Sequence, residues 1–332
     1  MVTLTDLRLL VAVVGFAGSL AAGAQTTDRV YSIGYLSTGS ASTTYTRPLE
    51  AFRQRLRELG WDEGRNLRIE YRYAEGKADR LPALAEELVR LKVDVIVAAP
   101  TPSAQAAKDA TRTIPIVGLS LTEPVAVGLV PSLARPGGNV TGLTYGVDTD
   151  IFGKQLQLLM EAVPNVRRVA VLSNPASGGP THKVRMESVK NSARALGLQL
   201  QILEVNEPSD FDAAFAAMSK ERAGALFLSG DAMFFVHRAR LADLATKHRL
   251  PSMSTQRQWV DAGGLLSYAP SFPEQYWRAA TYVDKILRGA KPADLPIEQP
   301  TKFELAINLR TARELGIGIP QALLQRADDV IQ

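Results

Sequence analysis

The sequence predicts an α/β protein of two Rossmann-like lobes, each with a parallel sheet and helices on both faces. Three observations predict this fold class. Short apolar runs alternate with helical segments from residue 29 onward. The same strand–helix order starts again at residue 167, and the glycine-containing stretches 135–146 and 263–275 resemble crossovers between the halves. With 332 residues, 46% of them hydrophobic, the chain can fill a core in each lobe.

The first half contains four predicted strands and three predicted helices. The strands are VYSIGYLS, LRIEYRY, VDVIVAA and IPIVGLS. The helices are PLEAFRQRLRELG, LPALAEELVRL and SAQAAKDAT. In the first helix, Leu49, Phe52, Leu56 and Leu59 recur at helical spacing, and Gly60 follows as a suitable C-terminal cap.

The second half repeats this order. Its predicted strands are RRVAVLSN, LQLQILEV, AGALFLSG and LPSMST, and its helices are HKVRMESVKNSARALG, DFDAAFAAMSKE and MFFVHRARLADLATKHR. After the second crossover, EQYWRAATYVDKILRG is expected to return to the first lobe. We therefore predict that residues 25–144 and 270–297 form lobe 1, that residues 145–269 and 298–332 form lobe 2, and that a cleft separates them.

The first 24 residues predict a secretory signal peptide. Arg8 precedes an uncharged apolar run, which ends in the small residues Ala22-Gly23-Ala24. The alternative is an uncleaved membrane anchor, but the run is shorter than the roughly 20 residues that a spanning helix needs. The absence of cysteine excludes disulfides, thiol catalysis and a lipid attached to an N-terminal cysteine. We expect a freely soluble periplasmic protein without stable membrane insertion.

The motifs of catalysis and metal binding are absent from the sequence. His182, His237 and His248 have no metal-ligand spacing, and no nucleophile elbow, dinucleotide fingerprint or P-loop is present. The net charge is +4, but basic residues are interleaved with acidic ones, which is typical of a solvated face rather than a nucleic-acid site. We predict no enzymatic activity, no metal and no cofactor.

Polar residues recur where the predicted strands end, and ligands of doubly wound sheets bind beyond those ends. The candidate ligand-binding residues at strand ends are Ser37, Thr38, Ser40, Thr101, Pro102, Ser103, Ser120, Thr122, Asn174, Pro175, Gly230 and Asp231. Ser103 is expected to cap the helix that begins there, whose N–H groups could receive a carboxylate; the alternative is that it is only a cap. Asp231 would bind a ligand amine or hydroxyl, or instead cap the next helix.

Aromatic residues are the second group of candidates. Tyr145 and Tyr268 lie in the predicted crossovers, where a ring could pack on a ligand. Phe234, Phe235 and Trp259 are further candidates, although core packing is the stronger interpretation for at least one of the two phenylalanines.

Several long segments carry a family resemblance. LARPGGNVTGLT, YVDKILRGAKPADLPIEQPTKFELAINLRTARELGIGIP and LLQRADDVI resemble the ABC transporter substrate-binding protein family that includes tryptophan- and tyrosine-transport components. The resemblance extends from Val30 to the end. It implies a type I periplasmic-binding-protein fold with a three-segment hinge. It also implies which segments line the ligand site: the loop from Ser37 to Thr44, residues 100–103, SLTEPVAVGL, SNP at 173–175 and Gly230-Asp231.

The resemblance has two departures. Glu123-Pro124-Val125-Ala126 stands where family members often have Asp-Pro-Val-Gly, and Ala269 stands where they often have glycine. Both affect the expected ligand rather than the fold.

Together these observations predict the solute-binding component of an ABC importer. We expect a monomer that captures a small polar solute, preferably an amino acid or small organic acid, and delivers it to a permease with its ATPase. The alternatives are a ligand-sensing protein for a separate receptor and an α/β enzyme without a recognisable motif.

Overall fold

The computed structural model describes residues 29–40, 46–146 and 150–332, so the predicted signal peptide and Thr44 lie outside the described residues. The first sheet has the order β2-β1-β3-β4-β5, and all its pairs are parallel. Its strands are β1 (Tyr31–Ser37), β2 (Leu67–Tyr73), β3 (Val95–Ala99), β4 (Ile116–Thr122) and β5 (Val140–Gly146).

The second sheet has the order β12-β11-β10-β9-β8-β6-β7, and only its β10–β11 pair is antiparallel. Its strands are β6 (Arg168–Ser173), β7 (Gln199–Glu204), β8 (Ala225–Leu228), β9 (Ser252–Ser254), β10 (Leu266–Pro270), β11 (Phe303–Asn308) and β12 (Asp329–Ile331). The predicted α/β class with two mostly parallel sheets is therefore confirmed.

Helices cover both sheets. They are α1 (Thr46–Glu58), α2 (Leu81–Arg90), α3 (Thr101–Ala110), α4 (Asp150–Ala162), α5 (Pro175–Ala195), α6 (Phe211–Lys220), α7 (Ala232–Val236), α8 (Arg238–Lys247), α9 (Gln258–Asp261), α10 (Phe272–Leu287), α11 (Leu309–Leu315) and α12 (Gln321–Leu324).

The chain crosses between the sheets three times. It crosses after β5, after β10 and before β11, because α10 packs on α1, β3, β4 and β5 although it follows a strand of the second sheet. Two hydroxyls anchor this return, since Tyr35 Oη of β1 lies 2.8 Å from Tyr276 Oη of α10 in the core. These crossings give the three-segment hinge, whereas the residue limits of the lobes stay predictions.

Three element boundaries differ from the sequence-based expectation. The glycine-rich stretch 135–146 contains strand β5, and the stretch 263–275 contains β10, so each crossover is shorter than expected. The predicted continuous helix of residues 233–249 is broken at His237, whose φ of −98° and ψ of 19° leave the α-helical range. In α8, which follows this break, Leu241 and Leu244 are buried in the core.

Gly142 is required where β4 and β5 approach most closely. Its φ is +138°, and a Cβ atom on it would lie 2.0 Å from the carbonyl oxygen of Gly118 on the neighbouring strand. No rotamer relieves this overlap, because the backbone fixes the position of the Cβ atom and the atom that it meets is a backbone oxygen.

We expect Gly142→Ala to lower the free energy of unfolding by about 3 kcal/mol or more, through backbone strain and displacement of β5. Gly138→Ala is the control, because Gly138 has negative φ and no atom within 4 Å of an added Cβ. Urea unfolding of both variants measures the difference. Equal stability of the two variants would contradict this interpretation of the strand contact.

Candidate functional site

A cleft of about 780 Å³, counting the solvent at its mouth, lies where the strands of both sheets end. The first sheet and its loops contribute Ser37, Thr38, Ala99, Pro100, Ser120 and Thr122, and the second contributes Gly230, Asp231, Thr255 and Gln256. A ligand in the cleft therefore contacts both sheets.

One part of the cleft is aromatic. Its walls carry five buried rings, which belong to Tyr145, Phe152, Phe235, Phe272 and Tyr276. The rings of Tyr145 and Phe272 lie 6.4 Å apart between centroids and are tilted by 41°. We call the whole of this first pocket, including its polar residues, the aromatic compartment, because its rings are suited to a flat apolar group.

A second pocket of about 440 Å³ continues from the first and is rich in hydroxyl groups. Thr101, Pro102 and Thr181 line only this pocket, whereas Thr38 and Thr122 line both. We call it the hydroxyl compartment. Arg185 and Asp231 also border both compartments, so the two charged groups lie at the junction.

Arg185 is a half-buried cation without an anionic partner. It lies on α5, its Nε atom is buried without a hydrogen-bond acceptor, and its guanidinium forms no salt bridge with the described residues. Burial lowers the pKa of Arg185, and the nearby Asp231 carboxylate and Tyr145 partly oppose this. Because an arginine pKa lies far above neutral pH, the group remains charged. The site therefore holds an incompletely compensated positive charge.

Asp231 has a structural role in the cleft. Its Oδ1 accepts hydrogen bonds from the backbone N–H of Met233 at 2.9 Å and from Asn174 Nδ2 at 3.3 Å. It is the N-cap of α7, as the capping alternative predicted. These bonds fix the carboxylate at the compartment junction, near the Arg185 guanidinium.

Ten of the predicted residues line one or both compartments. They are Ser37, Thr38, Thr101, Pro102, Ser120, Thr122, Tyr145, Gly230, Asp231 and Phe235. Their contact with a ligand stays a prediction. The placement follows from parallel topology, which brings the ends of the strands to one edge of each sheet.

The capping role predicted for Ser103 is wrong. Helix α3 begins at Thr101 with Pro100 as N-cap, and no side chain caps it. Ser103 is fully buried, and its hydroxyl donates to the carbonyl oxygen of Ala99 at 2.9 Å. In addition, Pro102 has no N–H, so the start of α3 offers fewer donors to an anion than expected.

Other predicted polar residues also lie away from the cleft surface. Ser40 is buried and lines neither compartment. Asn174 caps α5 by accepting a hydrogen bond from the N–H of Ala176, and Pro175 is the first residue of that helix. Thr44 lies outside the described residues.

Three of the predicted aromatic residues belong to packing rather than to the cleft wall. Phe234 packs on Phe211 with ring centroids 6.3 Å apart, and Tyr268 stacks on Phe303 at 5.5 Å. Trp259 is buried, and its indole N–H donates to Ser252 Oγ at 3.1 Å. Of the two neighbouring phenylalanines, Phe235 is the one in the aromatic compartment.

Sequence reasoning missed the helical residues of the site. Phe152, Arg185 and Tyr276 lie on α4, α5 and α10, inside segments that have ordinary amphipathic patterns. Phe272 follows β10 so closely that the strand-end rule could have found it. Arg185 has no such signal, because the sequence around it does not show that its side chain forms no salt bridge in the folded protein.

Membrane-spanning helices and metal-binding clusters are both absent from the part of the chain that the structure describes. No helix among residues 29–40, 46–146 and 150–332 is long and apolar enough to cross a membrane. Within the same ranges, no group of three or more histidine or acidic side chains is arranged to hold a metal ion.

Two mostly parallel sheets that the chain crosses between three times, with a cleft at their strand ends, make up the type I periplasmic-binding-protein fold. Residues 45–331 match the model of the ABC transporter substrate binding protein family, and the chain belongs to this family. The predicted family and fold are thus confirmed. A leucine-binding protein from Thermotoga maritima, 15% identical, covers 80% of this chain and 78% of its own with a TM-score of 0.56, which shows the shared fold.

Three other proteins are more similar to this chain in sequence than the leucine-binding protein is. A tyrosine-binding protein from Clostridioides difficile is 26% identical over 81% of this chain and 76% of its own length. A domain from Streptococcus pneumoniae, solved in complex with L-Trp, is 26% identical, with a TM-score of 0.82 over 91% of this chain and 100% of its own. A conserved domain protein from Vibrio cholerae is 28% identical over the same shares, with a TM-score of 0.84.

His182 makes the stability of this region dependent on pH. It is buried, its Nε2 lies 3.3 Å from Ser173 Oγ, and its Nδ1 has no partner. Burial and then Arg185 lower the pKa of His182, whereas Asp231 and Glu204 raise it to a smaller extent. The folded state therefore binds this proton less readily than the unfolded state does.

We expect the free energy of unfolding to decrease as the pH falls below about 6.5 toward the lowered folded pKa, because the unfolded chain then takes up more protons. His182→Gln should reduce this dependence. Part of it remains, since burial also lowers the pKa of His237. Urea unfolding at pH 7.5 and 5.5 measures both slopes, and an unchanged slope in the variant would exclude His182 as a source.

Proposed function

We propose that this protein is the exported receptor of an ABC importer for an aromatic amino acid. The unpaired Arg185 guanidinium, at the edge of an aromatic compartment, is the observation that carries the proposal. The family supports a transported solute, and two relatives are described with tyrosine or L-Trp.

The ligand carboxylate is proposed to pair with Arg185. A guanidinium has a planar fork of N–H donors that matches a carboxylate, and charge-assisted hydrogen bonds in a partly dry site are strong. This assignment replaces the start of α3 as the expected anion site. Asp231, at the same junction, would attract the α-ammonium group of the ligand.

The ligand side chain would occupy the aromatic compartment. Five rings surround this space, and their faces and edges suit a stacked or tilted aromatic group. A sugar or a short polar acid would leave these rings partly hydrated, and would therefore gain less free energy from their burial.

Domain closure would couple binding to transport. Both sheets line the cleft, so a ligand makes all its contacts only when the lobes are together, and binding favours the closed state. We further propose that residues 1–24 direct export, that the mature protein is a periplasmic monomer, and that the closed form delivers its ligand to a permease with an ATPase.

We expect Arg185→Met to weaken binding of L-tryptophan or L-tyrosine by about 100-fold or more, because the ligand carboxylate loses its partner. Arg185→Lys should give an intermediate affinity, since it keeps the charge but not the fork. Isothermal titration calorimetry measures each affinity. Tryptamine and tyramine lack the carboxylate. They should bind the wild type weakly, and their affinity for Arg185→Met should be nearly the same.

Arg194→Met is the matched control, since Arg194 is an exposed arginine of the same helix. It should bind like the wild type. In the absence of ligand, Arg185→Met should be at least as stable as the wild type, because it removes a partly desolvated charge that forms no salt bridge. Tight binding of the amino acids by Arg185→Met would reject the proposed carboxylate site.

A further inference from the structure

Ser120 has an unusual backbone position in the wall of the aromatic compartment. Its φ is +52°, in the left-handed region that few serines adopt. It lies in a bulge, because two residues of β4 between Gly118 and Leu121 oppose one residue of β5 between Gly142 and Thr144. Ser120 lines the aromatic compartment but not the hydroxyl compartment. The bulge thus places a hydroxyl group in the wall of the compartment that also carries the five rings.

The hydrogen of the Ser120 hydroxyl is already committed. Ser120 Oγ donates to Gln275 Oε1 at 2.9 Å, and Gln275 Nε2 donates to the carbonyl oxygen of Thr144 at 3.2 Å. The carbonyl of Thr144 can only accept, so it fixes which end of the buried Gln275 amide faces Ser120. Ser120 Oγ therefore presents only its lone pairs to the cleft, and no described residue donates a hydrogen bond to it.

From this geometry we infer that Ser120 selects ligands whose ring carries a hydrogen-bond donor. The inference rests on the proposed function and deepens it. A phenol O–H or an indole N–H can donate to Ser120 Oγ. A phenyl ring cannot, and it leaves this oxygen without a partner when water is excluded. The preferred substrate class is an aromatic amino acid with a donor on its ring, and phenylalanine is discriminated against.

Gln275 acts in this arrangement as a positioning residue. It does not line the cleft, but its amide sets the direction of the Ser120 hydrogen. Without the amide acceptor, the hydroxyl could rotate and donate to the ligand instead. The polarity of the site, rather than its size, would then change.

The test compares L-tyrosine, L-tryptophan and L-phenylalanine by isothermal titration calorimetry. The wild type should bind tyrosine or tryptophan at least about tenfold more tightly than phenylalanine, as expected for one hydrogen bond in a dry site. Ser120→Ala should reduce this ratio to about twofold or less. The ratio should fall because the donor ligands bind more weakly and because phenylalanine, which no longer buries an unpartnered oxygen, binds at least as tightly as it binds the wild type. Ser120→Gly also removes the hydroxyl and suits a positive φ, so it repeats the test without added strain.

Gln275→Met tests the polarity. L-3-(4-pyridyl)alanine carries a ring acceptor in place of a donor, and it should bind this variant more tightly, relative to phenylalanine, than it binds the wild type. Ser120→Ala should show no such gain. Ser32→Ala is the control. Ser32 lies at the start of β1, at the end of the strand opposite the cleft, and its hydroxyl donates to Asp94. It should keep the wild-type ratio.

The outcomes separate the two proposals. If the wild type binds all three amino acids equally, or if Ser120→Ala and Ser120→Gly keep the preference, the inference about Ser120 is wrong while the proposed function stands. If the wild type binds none of the three, the proposed function fails and the inference fails with it.

Discussion

The incompletely compensated charge of Arg185 is the constraint on which the proposed function of the cleft depends. A partly buried guanidinium that forms no salt bridge raises the free energy of the folded protein, since the desolvation cost of a buried ion amounts to several kcal/mol. The remaining cleft wall is neutral apart from Asp231, which its capping bonds hold in place. A ligand anion would therefore supply what the fold does not. In the proposed function, the preference for an anionic ligand group is thus a consequence of the Arg185 charge on α5.

The position of that helix connects the charge to domain closure. Helix α5 belongs to the second sheet, yet it contacts α3 and the turn Ala78–Arg80 of the first. Near the crossings, Tyr145 Oη donates to the carbonyl oxygen of Thr255 at 2.9 Å, and Gln155 Nε2 donates to that of Tyr268 at 2.6 Å. The first of these bonds joins strand β5 of the first sheet to the segment that follows β9 of the second sheet. An anion at Arg185 thus acts at the surface where the lobes meet.

The sequence predicted the fold better than it predicted the site, for a physical reason. Apolar periodicity determines strands and helices locally, and parallel topology then brings strand ends together, which is how Thr38 and Ser120 were found. Ser103 shows the limit, because the start of a helix shifted by two residues turns a cap into a buried hydroxyl. Arg185 and Phe152 come from the middle of helices, where only the tertiary packing decides which face meets the cleft.

The division of the cleft into two compartments has a consequence for release. The aromatic compartment gains free energy by excluding water, and that gain is lost when water returns. The hydroxyl compartment has threonine side chains that water can solvate readily, so it wets at little cost as the lobes part. Arg185 belongs to the second lobe and Ser120 to the first. A ligand held by both as proposed loses one of them on opening, and its affinity falls at the step at which a transporter must receive it.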